Sequence, residues 1–570
     1  MTRPPDAVIG VTSRASAATR DGGTMRERRW WQLDPGGAVV GLLLAALSMT
    51  PSLLPRPALF QGLITGFGFA IGYAVGVGLW WLVRRFVAWR PTTDQRRVAW
   101  WSYLGVAAVA TVVLAVLSLG WQNEVRRAVR MPEVDGFDFL VFVVGFVPVV
   151  VLGIASGRGI RRLYRRAERT WGRAWGTVAT AATVVVGVAV LLSVVMFGLD
   201  RLYLANNGPA APWVTEPVSG ARSAGPDSEV DWDLVGRHGT AFLGGGPSAA
   251  DIEELTGEPA LEPVRVYVGQ ANAPTVEERA AMAVRELERT GGFDRDVLVV
   301  ATTTGSGWLE PQTVDAIEYL HGGDTAIVST QYAYTPSWVS FVFDPDAPVA
   351  ASVALFDAVR AKWETLPADD RPQLVAYGLS LGAHGAQETF ADLDDVRGRT
   401  EGALFVGSPN GSALWRTLTE GRDEGSPQWQ PVVDGGRQVR WHSTAGDFGA
   451  LGPGWEEPRV AYLQHATDPV TWLGLELIWA EPDWLKSGQR SDDLSDSMRW
   501  IPAVTAVQLV VDMFMGESVP ASYGHNYGDV VLDGWRAVTG DGGLDVAALA
   551  RIQEVLEGYA QVQPIGSVSE

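Results

Sequence analysis

Val375-Ala376-Tyr377-Gly378-Leu379-Ser380-Leu381-Gly382-Ala383-His384 is a short apolar run that passes through a Gly-x-Ser-x-Gly turn. So sharp a turn strains the central serine and crowds the positions two before and two after it, which is why glycine is required at Gly378 and Gly382. The β-prone run 373–377 precedes the turn, and a helix is predicted over 383–393. This strand–turn–helix order predicts a nucleophile elbow that exposes the hydroxyl of Ser380, in preference to an ordinary tight turn.

Outside this stretch, the 570-residue chain divides near residue 205 into two parts of opposite charge. Residues 1–200 hold 22 of the 45 basic and 11 of the 65 acidic residues, which leaves 23 basic and 54 acidic residues for the remainder. The two parts therefore face different surroundings. A strongly acidic C-terminal part excludes nucleic acid as a credible partner.

Five long apolar runs fall in the first part, at 37–55, 60–83, 98–121, 138–156 and 174–197. Each is close to the roughly 20 residues that a helix needs to cross a bilayer. We therefore predict a five-helix transmembrane domain over 37–204 and the lipid bilayer as a partner. The first run is long enough to be a retained anchor rather than a cleaved signal peptide.

Arginines cluster before the first run, after the second and after the fourth. Because basic residues collect on the cytoplasmic side, these clusters predict a cytoplasmic N-terminus over 1–36 and an extracytoplasmic C-terminal domain over 229–570. Residues 1–24 are small and polar, which predicts disorder, and Met25 is a candidate alternative start. A Pro, Gly and Ser-rich stretch at 205–228 is predicted to be a linker. The clusters are Arg26, Arg28 and Arg29; Arg84, Arg85, Arg90, Arg96 and Arg97; and Arg158, Arg161, Arg162, Arg165, Arg166, Arg169 and Arg173.

Strand-like and helix-like patterns alternate after the linker, which indicates a mostly parallel sheet with crossover helices. Strands are predicted at 264–268, 297–302, 325–331, 373–377, 403–407 and 460–465. Helices are predicted at 276–290, 311–320, 349–366 and 384–393. Together with the elbow, this pattern predicts an α/β-hydrolase fold.

The loop after the strand at 297–302 is rich in small residues and reaches the same edge of the sheet as the elbow. An oxyanion hole combines the amide that follows the nucleophile with an amide from an earlier strand loop. We therefore predict Leu381 as one donor and Thr303 or Thr304 as the other. The glycines nearby match neither a P-loop nor Gly-x-Gly-x-x-Gly, so a phosphate site is not favoured.

Asp468 ends the strand at 460–465 and stands where the acid of a catalytic triad is expected, although Asp before Pro also commonly starts a turn. His525 is the sole histidine after it and is the predicted base, which gives the order Ser, Asp, His. His384 and His465 are interpreted as structural. The six histidines lack metal-binding spacing, so no metal and no cofactor are predicted.

Two segments interrupt the sheet pattern, 408–458 and 470–519, and both are rich in tryptophan. We interpret them as cap insertions and expect from them a preference for acyl chains or lipid-like substrates. The apolar run 500–515 is a helix that covers the site, lies at the membrane interface or forms part of the scaffold. The tryptophans are Trp415, Trp429, Trp441, Trp455, Trp472, Trp479, Trp484 and Trp500.

Several of these stretches resemble the bacterial membrane-anchored α/β-hydrolases that carry an N-terminal multi-span region. The matching stretches are 302–308, 321–324, 378–382, 464–469, 498–500 and 524–527. The resemblance implies a serine hydrolase in which Ser380, Asp468 and His525 match the nucleophile, acid and base. Similar proteins carry a polar residue before the serine, where this chain has Leu379.

The sequence thus predicts a membrane-anchored serine hydrolase of the bacterial cell envelope that cleaves carboxylic esters, with an acyl ester, lipid-like in nature, as its substrate. Two alternatives stay open. An acyltransferase would use the same triad with an alcohol or sugar in place of water. A non-catalytic envelope assembly protein would keep the hydrolase scaffold only.

Overall fold

The computed structural model describes residues 33–87, 92–136, 138–208, 210–444 and 446–562. Met25, the first arginine cluster and most of the predicted cytoplasmic N-terminus lie outside these residues, as does Arg90. The helical region consists of α1 (Pro35–Ser48), α2 (Ala58–Phe86), α3 (Thr93–Ala128) and α4 (Phe139–Asn207). Apolar helices thus precede the α/β domain, as the sequence predicts.

Among the described residues, α2, α3 and α4 are the three helices long and apolar enough to cross a membrane. The first predicted run forms α1, which has only 14 residues because Pro51, two positions after the C-cap, cannot continue a helix. The fourth and fifth runs both lie in α4, which is interrupted at Gly172 by non-helical angles, φ 75° and ψ 175°. A Cβ on Gly176 would contact the backbone of Glu168, so the chain folds back on itself at this break.

Close glycine contacts fix the direction of these helices. Gly62 on α2 lies against the backbone of Phe142 on α4, and Gly66 lies against Phe146, one turn further along both helices. The first half of α4 therefore runs parallel to α2. Consequently, the arginines after α2 and those around the break at Gly172 lie at one end of the helical region.

The α/β domain alternates strands and helices in chain order. Its strands are β1 (Val264–Val268), β2 (Val297–Thr302), β3 (Thr325–Thr330), β4 (Gln373–Leu379), β5 (Gly402–Val406), β6 (Val439–His442) and β7 (Arg459–Leu463). Its helices are α5 (Arg237–Gly244), α6 (Ala249–Thr256), α7 (Val276–Thr290), α8 (Pro311–Leu320), α9 (Ser337–Phe343), α10 (Asp346–Trp363), α11 (Leu381–Gln387), α12 (Leu393–Arg399), α13 (Ala413–Glu420), α14 (Asp447–Ala450), α15 (Pro469–Trp472), α16 (Val504–Met513), α17 (Val531–Thr539) and α18 (Val546–Val562).

In the described part of the chain, the seven strands form one sheet of order β1-β3-β2-β4-β5-β7-β6, and every pair is parallel. The strands are almost wholly buried, because helices cover both faces of a parallel sheet. This architecture confirms the predicted α/β-hydrolase fold. The carboxyl ends of β2, β4 and β7 meet at one edge, where the elbow and the predicted acid lie.

Two interpretations of the C-terminal part need correction. The segment 408–458 is not only an insertion, because it contains β6, a short edge strand that pairs with β7. Of the eight tryptophans taken to indicate a cap, four are buried in the core and three pack partly buried against it, which leaves Trp479 as the exposed one. The four core tryptophans are Trp415, Trp441, Trp472 and Trp484.

The predicted linker 205–228 contains the last turn of α4 and then a stretch that follows the outer edge of β1. The amide of Ser223 donates to the carbonyl of Arg265 at 2.9 Å, and the amide of Arg265 donates to Ala221 at 3.1 Å. Part of this segment therefore extends the edge of the sheet.

Polar contacts hold the ends of the membrane helices against the α/β domain. Glu124, near the end of α3, accepts hydrogen bonds from the hydroxyls of Ser495 and Ser497, both at 2.7 Å. Near the end of α4, Asp200 accepts a hydrogen bond from the Tyr334 hydroxyl at 2.5 Å. The α/β domain thus lies at the end of the helical region opposite to the arginine-rich end.

Candidate active site

Ser380 lies at the turn between β4 and α11, with φ 55° and ψ −124°. This backbone conformation is strained for a residue other than glycine and is typical of functional turns. A Cβ on Gly378 would overlap with the backbone of Gly382, and a Cβ on Gly382 would overlap with the carbonyl of Thr302. The glycines of the motif are therefore required by close backbone packing, and the Ser380 amide anchors the turn by donating to Val406 at 2.8 Å.

The predicted base and acid are in direct contact. Nδ1 of His525 lies 2.7 Å from Oδ2 of Asp468, and both side chains are buried. Oδ1 of Asp468 accepts a hydrogen bond from the amide of Val470 at 2.8 Å. Asp468 is therefore fixed at the start of α15, immediately after β7, and fixes the imidazole in turn.

Tyr527, which sequence reasoning did not single out, also contacts the acid. The hydroxyl of Tyr527 donates to Oδ2 of Asp468 at 2.7 Å, and its ring stacks on His465 with centroids 4.2 Å apart. His465 in turn lies 3.1 Å from the carbonyl of Gly524 through Nδ1. Tyr527 is two residues after the predicted base, but its orientation depends on this long-range packing, which the sequence does not show.

The charges at this site shift the pKa values in opposite directions. Burial would raise the pKa of Asp468, but the charge of His525 and hydrogen bonds from His525, Tyr527 and the Val470 amide hold it below its usual value. Burial would lower the pKa of His525, but Asp468 and then Glu517 raise it above its usual value. Burial also raises the pKa of Glu517. The arrangement favours an ionised acid beside a more basic imidazole.

Ser380 and His525 both line one cavity of about 630 Å³. Within the described residues, Nε2 of His525 is buried and has no hydrogen-bond partner. The serine and the histidine therefore face the same space without a hydrogen bond between them in this state. Catalytic hydrogen bonds are often long in the absence of substrate and tighten when it binds.

The three predicted oxyanion-hole donors differ in their surroundings. Leu381 begins α11 and lines the cavity, and the first amides of a helix have no intrahelical acceptor. The amide of Thr304 is already used, because it donates to the carbonyl of Trp308 at 2.9 Å. Thr303 is buried, and its hydroxyl donates to Thr330 at 3.3 Å. Leu381 is thus the predicted donor that combines a cavity position with a helix N-terminus.

Three elements that were not predicted to take part, α4, α5 and α9, also line the cavity, together with α16, for which covering the site was one of the predicted roles. Tyr203 and Asn206 come from the last turns of α4, and Arg237 and His238 come from the start of α5. Burial and the neighbouring Arg237 lower the pKa of His238 to about 4, so His238 is neutral near pH 7. Apolar side chains of α9 and α16 complete the wall, namely Trp338, Phe341, Val342, Val510, Met513 and the adjoining Phe514. The membrane region and the α/β domain therefore share one cavity.

The two histidines interpreted as structural do not line this cavity. His384 lies on α11 with Nδ1 3.3 Å from the hydroxyl of Ser412. His465 is just beyond β7 rather than inside the strand, and it supports Tyr527 as described above. Both positions agree with a packing role.

Comparisons with known proteins give two family matches that together span most of the chain. Residues 264–552 match the sequence model of the alpha/beta-hydrolase family, and residues 49–247 match the model of the N-terminus of that family. No curated protein and no solved structure matches this chain.

Proposed function

Because this chain belongs to the alpha/beta-hydrolase family, we propose that it is a membrane-anchored serine hydrolase of carboxylic esters. The observation that carries the proposal is the strained turn at Ser380, which opens on the same cavity as a histidine paired with a buried aspartate. A family scaffold alone does not require this combination. Non-catalytic relatives of hydrolases have no need to keep a strained serine beside an acid–base pair.

In the proposed reaction, the Ser380 hydroxyl attacks the ester carbonyl while Nε2 of His525 takes its proton. The Leu381 amide stabilises the negative oxygen of the tetrahedral intermediate. His525 then protonates the leaving alkoxide as its bond to the acyl carbon breaks, which leaves an acyl group on Ser380. Water then gives a proton to His525 and attacks the acyl carbon; as the bond between this carbon and Ser380 Oγ breaks, His525 returns the proton to Oγ and the acid is released. Asp468 stabilises the imidazolium in both steps.

The composition of the cavity supports an acyl group as the part of the substrate that it holds. Its wall is formed mainly by aromatic and aliphatic side chains, which favour an alkyl chain over a polar one. We propose a lipid or an acylated envelope compound as the substrate.

A comparison of a long-chain and a short-chain p-nitrophenyl ester tests this proposal on the full chain in detergent. We expect p-nitrophenyl palmitate to be cleaved with higher kcat/KM than p-nitrophenyl acetate, and Ser380→Ala to abolish both reactions. Ser306→Ala is the matched control, because Ser306 also lines the cavity but its hydroxyl donates to the neighbouring carbonyl of Gly305 at 2.6 Å. Activity retained in Ser380→Ala would refute the nucleophile, and equal use of both esters would refute the acyl-chain preference. Addition of an alcohol distinguishes hydrolysis from acyl transfer by the product formed.

We also propose that the α/β domain lies outside the cytoplasm of a bacterial cell. The arginine-rich end of the helical region and the α/β domain lie at opposite ends, which supports this orientation. A reporter that is active only outside the cytoplasm should work when fused after Glu570 and fail when inserted at Thr93. The reverse pattern would place the cavity on the cytoplasmic side.

A further inference from the structure

Apolar side chains are exposed around the mouth of the cavity. Three consecutive apolar residues at the end of α9 are exposed, and so are three on one side of α16 and its last turn. The rings of Trp338 on α9 and Phe514 beside α16 have centroids 6.5 Å apart, so the two groups are neighbours. We call these six residues the apolar rim, namely Phe341, Val342, Phe343, Val507, Val510 and Phe514.

The apolar rim belongs to the mouth because four of its residues also line the cavity, namely Phe341, Val342, Val510 and Phe514. Exposed apolar surface next to a binding cavity marks an interaction site rather than ordinary surface variation. The turn Leu475–Ile478 adds to this surface, since the amide of Ala503 donates to Ile478 at 3.2 Å. Trp479 follows this turn and is 67% exposed. Tryptophan is favoured where protein meets the lipid headgroups.

The first half of α9 packs against the α/β domain through the buried Val339 and Ser340, and its last three residues are exposed. α9 is bent by 102° from α10, which begins three residues later. α10 itself is a scaffold helix, because Leu355, Phe356 and Val359 are buried in the core. α10 is therefore held in place by the core. The exposed end of α9 has no such packing partner in the described part of the chain.

α16 is fixed at the ends of the membrane helices. Its Asp512 accepts hydrogen bonds from the Leu53 amide at 3.1 Å, from Nε of Arg56 at 2.8 Å and from the hydroxyl of Ser52. All three donors lie in the connection between α1 and α2. One turn earlier, Nε2 of Gln508 donates to the carbonyl of Thr50 at 2.8 Å.

These contacts determine which way the apolar side of α16 faces. Gln508 and Asp512 are four residues apart and occupy one side, which points to the connection between α1 and α2. Val507, Val510 and Phe514 are three and four residues apart and occupy another side, which is exposed. The rim therefore lies at the level where α1 ends and α2 begins. Across the cavity, Tyr203 marks the level at which α4 ends.

We propose that the apolar rim is inserted into the lipid leaflet next to the α/β domain and that the cavity opens into this leaflet. A lipid ester then reaches Ser380 sideways from the bilayer, acyl chain first, without passing through water. The location of the rim does not depend on the reaction, whereas the path of the substrate rests on the function proposed above. Continuity with the membrane helices identifies lipid as the occupant of this surface.

Spin labels in nanodiscs test the location of the rim. The chain has no cysteine, so single labels can be introduced at Phe343→Cys and Val507→Cys, which are 56% and 46% exposed and do not line the cavity. Leu261→Cys is the control, since Leu261 is 49% exposed and precedes β1. It therefore lies at the amino end of this strand, whereas the cavity lies at the carboxyl ends of the strands. In a phosphatidylcholine nanodisc, oxygen should relax the two rim labels more than a water-soluble nickel chelate does, and the control should show the reverse. Rim labels as accessible to nickel as the control would overturn the proposal.

A ratio of two activities tests the path of the substrate. p-Nitrophenyl palmitate dissolved in the nanodisc is compared with p-nitrophenyl acetate in water, for Phe343→Asp, Val507→Asp and the control Leu261→Asp. A carboxylate disfavours insertion into lipid, so the palmitate-to-acetate ratio should fall about tenfold in the two rim variants and stay constant in the control. An unchanged ratio in rim variants whose spin labels lie in lipid would overturn sideways access. Absence of esterase activity in the unmodified chain would instead refute the proposed function, while the spin labels would still decide the location of the rim.

Discussion

Tyr527→Phe isolates the contribution of a residue that touches the acid and not the substrate. Oδ2 of Asp468 has two close donors, Nδ1 of His525 and the hydroxyl of Tyr527, each at 2.7 Å. The substitution removes one of them and leaves the amide of Val470 on the other oxygen. A hydrogen bond to a charged acceptor is worth about 1.5–3 kcal/mol, but only the part that grows in the transition state affects the rate.

We therefore expect kcat/KM for p-nitrophenyl palmitate to fall about tenfold, which corresponds to about 1.4 kcal/mol. This loss is far smaller than the roughly 10⁴-fold loss expected when the acid itself becomes an amide. The missing donor also raises the pKa of Asp468, and the less stabilised carboxylate attracts the proton of His525 more strongly. Since the base must be neutral, the acid limb of the pH–rate profile should move to higher pH.

The assay measures kcat/KM across the pH range in which histidine titrates, together with the thermal unfolding midpoint in detergent. Tyr462→Phe is the matched control, because it also removes a buried hydroxyl. This hydroxyl donates to Oε1 of Gln387 at 2.7 Å and not to Asp468. Both variants should lose some stability, but only Tyr527→Phe should shift the acid limb. An unshifted profile in Tyr527→Phe, or an equal shift in the control, would refute the positioning role of Tyr527.

Three further changes have outcomes that the structure fixes in sign. Glu517→Gln removes a charge that raises the pKa of His525, so the acid limb of kcat/KM should move to lower pH; an unchanged limb would contradict this coupling. Gly382→Ala forces a Cβ into the backbone at the end of β2, and thermal unfolding should show a loss of about 1–3 kcal/mol. Asp512→Ala leaves Arg56 as a buried charge without its acid, which should cost about 3–5 kcal/mol; unchanged unfolding in detergent would contradict the buried pair.

Most of the α/β fold could be predicted from local patterns in the sequence. Strands buried on both faces appear as continuous apolar runs, so six of the seven were predicted within two residues of their bounds. The missed strand β6 is an edge strand of four residues that contains Arg440 and His442, so its sequence has little apolar signal. The interpretation of the tryptophans was wrong because the sequence shows how many there are but not that most of them are buried in the core or packed against it.

The candidate site divides in the same way. The elbow is a contiguous motif with a steric cause, so Ser380 could be identified from its neighbours, and chain order selected Asp468 and His525. Tyr527 and the walls from α4, α5 and α9 could not be predicted, because they reach the site only through contacts between distant segments. For α16, the sequence predicted an apolar helix and left covering the site as one of three roles. The join between α16 and the connection of α1 to α2 spans more than 450 residues of sequence, as in the pair of Arg56 and Asp512.

The central claim is that Ser380 is a nucleophile activated by His525, and covalent labelling tests it most directly. The full chain in detergent is treated with a fluorophosphonate probe, and the modified peptide is located by tandem mass spectrometry. We expect one adduct on the peptide that contains Ser380, its loss in Ser380→Ala, and a strongly reduced rate of labelling in His525→Ala that folds and inserts normally. An adduct that persists in Ser380→Ala, or labelling of Ser380 at the same rate without His525, would contradict the claim.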